Sequence, residues 1–359
     1  MKRAFNSEIG ILKFVFAIFI FLVHAYKWTA PLFGDGNFAV EFFFFLSGYY
    51  LAVHAVEKRD RTISVGESCR NYLAKRYLSL LPLLLIAILF GMVTRFALNG
   101  GLSKADLLGT VGDIFLTQAF RLGGAYYTGV AWFLSVLLIG IALLYPLLSK
   151  WPSYFINVFS IVFALFVYGY LGATTGNLSD PGSVTGIFMK GTLRGLAAMS
   201  IGCFLYGTVE RMQNVKFLQN ALVRNLIKWP AYLAVFAGMT FLNDSPYLFP
   251  LLAPYIIATA LSLYEGTVRT SNGGAFGKVA RFLQDISIPF YLLHWNVIAW
   301  AEKLAPKAGI DPNGGGKWLI VIAAFLCSLL LASLYLVIER SIQKQIGKKR
   351  AQKDPGKES

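Results

Sequence analysis

The chain has 359 residues, of which 56% are apolar and only 14% charged. A soluble protein of this size carries about a quarter charged residues, so the composition excludes an ordinary soluble enzyme, a disordered chain and a disulfide scaffold. The net charge of +15, from 33 Lys and Arg against 18 Asp and Glu, falls mostly between apolar runs, so membrane topology and anionic lipid explain it before nucleic acid does.

Apolar segments near the ~20 residues that a bilayer demands run over 9–26, 39–56, 78–96, 130–148, 154–170, 192–209, 229–242, 247–264, 286–301 and 318–338. This predicts an all-α, polytopic membrane helix bundle of about ten transmembrane helices. The seventh and ninth segments are short, and the eighth contains Pro250 and Pro254. With the N-terminus inside, the inner segments hold 23 of the Lys and Arg, Lys2 and Arg3 among them, and the outer segments hold seven, including Arg121. That asymmetry predicts cytoplasmic N- and C-termini. Residues 1–341 read as one membrane domain and 342–359 as a basic, disordered cytoplasmic tail. The first helix reads as retained, since no small-residue cleavage site follows it. Cys69, Cys203 and Cys327 match neither a disulfide pattern nor a metal-ligand spacing, and no metal is expected.

An ionisable residue within a span is costly unless it faces protein or water, which makes each a candidate site. Lys13 and His24 are eleven residues apart, so they share one face of the first helix at a rise of roughly 16 Å. The second segment, AVEFFFFLSGYYL, opens with Glu41 near the outer end, close in depth to His24 if the two helices form a hairpin. Glu41 is expected to orient the imidazole, the alternative being an acidic residue favoured by the helix dipole. Lys75 and Arg76 enter the third helix from the cytoplasm, where Arg76 is a phosphate binder or a topology anchor.

Lys13 with His24, the acidic-FF-x-x-LSG segment from Glu41 to Gly48, and the basic stretch from Lys75 to Pro82 together resemble the acyltransferase 3 family of integral-membrane enzymes. The pieces AWFLSVLL with LLYP, LRGLAAMSIGCFLYG, ISIPFYLLHW and IER follow in the family's order. Departures are Ser79, where the family has a second Arg, Ser341 in place of a Pro, and Ile288 and Pro289 in place of a Tyr-Ser pair.

The resemblance implies an O-acyltransferase of the bacterial plasma membrane that moves an acyl group, most often acetyl, from acyl-coenzyme A to a hydroxyl of a cell-surface or lipid-linked glycan. His24 and Glu41 are then the catalytic pair, and Lys13, Lys75 and Arg76 hold the donor. Ser47, Tyr127 and Trp132 lie at depths suited to oxyanion donation or, for Trp132, sugar stacking. Arg194 contacts the acceptor or pairs with Glu41, and His294 lines a channel or is a buried structural histidine. Glu339 and Arg340 read as an ion pair beside the donor mouth. A transporter or flippase of a glycan or lipid intermediate is the alternative, and the lack of an internal repeat weighs against it.

Overall fold

The structure, a computed structural model, describes residues 5–120, 126–243, 246, 248–268, 274–311 and 314–353. Lys2, Arg3, Arg121 and residues 354–359 of the predicted tail lie outside the described residues. The helices in chain order are α1 Ser7–His24, α2 Val40–Val53, α3 Val65–Asn99, the shorter α4 Lys104–Ile114, α5 Trp132–Lys150 and α6 Ser160–Thr175. They continue with α7 Lys190–Met212, α8 Ala221–Phe241, α9 Leu248–Val268, α10 Ala275–Leu304 and α11 Lys317–Lys353. A π turn, His54–Lys58, extends α2, and another, Phe155–Phe159, leads into α6. A two-residue hairpin, β1 Val184–Thr185 with β2 Phe188–Met189, precedes α7.

Each of the ten predicted segments therefore has its helix, and among the described residues eight are both long and apolar enough to cross a membrane. The other two, α8 and α10, have the length at 21 and 30 residues but carry charges that lower their hydropathy. On α8 those charges face protein. Arg224 pairs with Glu265 of α9 at 2.7 Å, and Lys228 reaches Glu8 of α1 at 2.7 Å. The Ser262 hydroxyl of α9 donates to the same Glu8. Buried and paired in this way, they are tolerated inside the bundle.

Local chemistry sets the helix starts earlier than hydropathy does. The Asn6 side chain accepts from the Glu8 and Ile9 amides and so caps α1. Ser64 caps α3 by accepting from the Glu67 amide, so the helix starts at Val65, ahead of the predicted span. At the other end of the chain α11 runs on through Lys353, past residue 341, the predicted end of the membrane domain. The composition suits helix: Gln, Lys, Arg and Ala favour it here, and no proline intervenes before Pro355.

Two packing relationships position the site. The LSG turn of α2 lies against α7, where Gly195, Ala198 and Gly202 offer a small-residue stripe. A Cβ at Gly202 would sit 2.9 Å from the Gly48 Cα, so the close approach of these helices requires glycine. The second is the parallel pair α1 and α10. Lys13 meets Gln284, Phe14 meets Phe290 and His24 meets His294, advancing in the same sense along both helices. α11 returns antiparallel, with Phe325 against Phe290 and Arg340 on Asp285. The start of α1 and the last turns of α11 thus lie at one end of the bundle, termed the terminal end below.

From the far end α4 runs back along α3, with Arg95 on Asp106 and the Tyr77 hydroxyl donating to the Ile114 carbonyl at 2.9 Å. Ser103 and Asp106 form a reciprocal cap, and the Ser103 hydroxyl and amide, with Arg95, hold the Asp106 carboxyl down at about 2. Asp113 is buried and accepts from the Tyr127 amide and the Gln118 side chain, each at 2.6 Å, which pins the loop leading into α5. Burial pushes the Asp113 carboxyl up to about 6.

Candidate active site

A cleft of about 520 Å³ opens at the terminal end between α1, α2, α3, α5, α10 and α11. Its polar lining includes Lys13, Arg76, Ser47, Gln284, Asp285 and Arg340. Arg340 is neutralised by Asp285 at 2.6 Å. The two remaining cations have neutral partners. Lys13 donates to the Gln284 amide oxygen at 3.5 Å, and Arg76 donates through Nε and Nη2 to the Tyr72 hydroxyl at 3.2 and 3.0 Å. Cations held by neutral dipoles keep their charge available to an anionic ligand, so this end of the cleft suits phosphate.

Lys75 is exposed beside Arg76 and does not line the cleft. Ser47 does line it, with its hydroxyl donating to the Phe43 carbonyl at 2.7 Å. That places Ser47 in the cleft, well short of His24. Glu339 and Arg340 also border the cleft, but the partner of Arg340 is Asp285 and not its sequence neighbour.

At the far end of the same α1 face, His24 stands in a cluster of aromatic rings. Its ring stacks on His294 with centroids 5.3 Å apart and meets the edge of Trp295 at 5.0 Å. His24 is half-buried, whereas His294 is fully buried. His294 Nδ1 lies 3.2 Å from the Phe290 carbonyl. A carbonyl only accepts, so Nδ1 carries the hydrogen and Nε2 presents a lone pair; that Nε2 is buried with no hydrogen-bond partner. The loop before α5 closes over Trp295, and a Cβ at Gly129 would lie 2.7 Å from the indole.

Glu41 is not part of this cluster. Both of its oxygens bond Arg194 of α7, Nε at 2.6 Å and Nη2 to the second oxygen, and the Tyr168 hydroxyl donates to it at 3.2 Å. Arg194 also donates to the Leu178 and Asn37 carbonyls. A fully buried carboxylate is stabilised best by a bidentate guanidinium, and the α2 to α7 contact supplies one. The expected Glu41 to His24 contact is therefore replaced by a structural ion pair, and the partner of His24 is His294.

Tyr127 and Trp132 make other contacts. Tyr127 is buried beneath the Arg95 guanidinium, 4.7 Å from the ring centroid, and its hydroxyl has no hydrogen-bond partner. Trp132 packs on Phe44 and against Gly191 of α7. Sequence reasoning missed Gln284 and Asp285, which lie ahead of its ninth span; their place immediately before the ISIPFYLLHW segment was the available signal. Among the described residues no cluster of His, Cys, Asp and Glu could hold a metal ion.

The described residues thus form a multi-pass helical bundle with a cationic cleft at one end and a histidine pair toward the other. The chain matches the model of the acyltransferase 3 family, described as an acyltransferase domain, over residues 6–337, and it belongs to that family. It is accordingly a membrane acyltransferase, which sets the transporter alternative aside. Neither curated proteins nor solved structures give a match to the chain.

Proposed function

We propose that the protein transfers an acyl group, acetyl being the simplest, from acyl-coenzyme A to a hydroxyl of a cell-surface or lipid-linked glycan. One observation carries this reading: Lys13 and Arg76, cations with neutral partners, line a cleft on the helix face that bears His24. The terminal end faces the cytoplasm of a bacterial plasma membrane, in keeping with the excess of Lys and Arg there. The donor's phosphates bind at Lys13 and Arg76, and its extended arm spans the roughly 16 Å of helix rise to His24.

There the acceptor oxygen attacks the thioester carbonyl carbon while His24 takes the hydroxyl proton as general base. The tetrahedral intermediate collapses with cleavage of the carbon–sulfur bond. The departing thiolate takes the proton from His24, leaving an ester and the free thiol. His294 stacks on the His24 ring, and its buried Nε2 has no hydrogen-bond partner within the protein. Trp295, edge-on to His24, forms the wall on which a sugar face rests.

Mass spectrometry of surface glycans from cells with the gene, without it, and with His24→Ala at equal expression tests the reading. Ester-linked acyl groups should disappear in the second and third strains. Their persistence without the protein rejects glycan acylation.

A further inference from the structure

Between the donor cleft and His24 the route narrows to a ring of aromatic side chains. Phe43 of α2, Phe133 of α5 and Tyr291 of α10 stand with centroids 5.8 to 6.5 Å apart. Bounded also by Ile20 and Ser287, the space they leave is about 20 Å³, room for about one water molecule, against about 520 Å³ in the cleft. Phe43 and Phe133 line the cleft as well, so this constriction is its inner limit. Its depth is fixed from two helices. Ile20 lies one turn before His24 on α1, and Tyr291 one turn before His294 on α10, with those last two rings 6.0 Å apart.

The ring is firmly held. The Tyr291 hydroxyl donates to the Val130 carbonyl at 2.7 Å, and Phe133 packs on the buried Phe44 at 4.5 Å. Packed interiors resist extra volume, so each additional carbon that must widen such a ring meets a rising penalty.

We infer that this aromatic collar selects the donor by the width of its acyl group. The inference rests on the proposed use of acyl-coenzyme A. The acyl end leads the donor into the collar, and the unbranched cysteamine and β-alanine part of the arm follows through it. An acyl group no wider than that arm passes wherever the arm itself passes, whereas branching at the carbon next to the carbonyl exceeds it. The collar therefore admits unbranched acyl groups and rejects α-branched and aromatic ones.

Butyryl- and isobutyryl-coenzyme A separate width from mass, because the two acyl groups are isomers. The ratio of their kcat/KM values, measured on one preparation of purified full-length protein, is insensitive to the fraction folded. The wild type should favour butyryl by about tenfold or more, the usual worth of one misplaced methyl group in an apolar site. Phe133→Ala and Phe43→Ala should each raise the isobutyryl to butyryl ratio by about tenfold. Phe42→Leu, which alters a buried ring stacked on Phe16 outside the constriction, should keep the wild-type ratio whatever its total rate. A ratio near one in the wild type, or one that both collar variants leave unchanged, overturns the collar and spares the transferase reading. Wild-type protein that turns over no acyl-coenzyme A, acetyl included, overturns both.

Discussion

The His24 and His294 rings stack with centroids 5.3 Å apart, one from the last turn of α1 and the other from the middle of the parallel helix α10. A half-buried imidazole thereby gains a fully buried neighbour whose Nδ1 hydrogen is already committed to the Phe290 carbonyl. His294→Phe keeps an aromatic surface against His24 and removes the free Nε2. It should lower kcat by about tenfold or more while leaving KM for the acyl donor within about twofold, as expected for a group that acts near the reacting hydroxyl. An unchanged kcat would make His294 a packing residue alone.

Arg76 and Lys13 lie at the cleft's cationic end, away from the histidines. Arg76→Ala should raise KM for acetyl-coenzyme A by about tenfold, the worth of a charge-assisted hydrogen bond, with kcat largely kept. Acetyl-pantetheine lacks the nucleotide phosphates, and its KM should not respond to the substitution. Equal sensitivity of both donors would remove Arg76 from phosphate binding.

The buried Glu41 to Arg194 pair predicts a stability effect and no specific effect on chemistry. Glu41→Leu leaves a guanidinium uncompensated in the interior and should destabilise by about 3–5 kcal/mol. The double variant Glu41→Leu with Arg194→Met should recover much of that loss. Thermal unfolding in detergent reads both, with turnover normalised to folded protein as the companion measurement. A single variant that unfolds like wild type but fails to turn over would return Glu41 to the catalytic site.

Asp113 makes the protein's far end sensitive to pH. Its folded value of about 6 exceeds its unfolded value of 3.8, so the folded state holds this proton more tightly. Its contribution to stability is full below about pH 4, is lost as pH rises toward 6, and is level above; two pH units correspond to about 3 kcal/mol at most. Between pH 4.5 and 7.5 the Tm of wild type should therefore fall further than that of Asp113→Asn. Equal falls would mean that Asp113 does not titrate in this range.

The order of the ten helical segments, the shared face of Lys13 and His24 and the place of Arg76 were legible in the sequence because they follow from hydropathy and from helix period. Helix bounds were less so. Arg224 and Lys228 lower the hydropathy of α8, yet they are paired with Glu265 and Glu8, which a linear scan of one segment does not see. The partner of Glu41 was ambiguous for the same reason. Depth along a hairpin brings Glu41 level with His24, but the rotation of α2 about its axis, set by the close glycine contact with α7, turns the carboxylate toward Arg194. Asp285 was hidden by its place before the apolar run of α10, although it closes the cleft with Arg340.

The central claim is that a donor entering from the terminal end is used by an imidazole nearer the opposite face. Sealed vesicles of known orientation, given labelled acetyl-coenzyme A only on the side of the protein's termini and an acceptor glycan only on the other, test it directly. The account predicts labelled ester on the far-side glycan with wild-type protein, and loss of about 10²- to 10⁴-fold of that rate in His24→Ala. Far-side labelling at the wild-type rate in His24→Ala, or none with either protein, would contradict it.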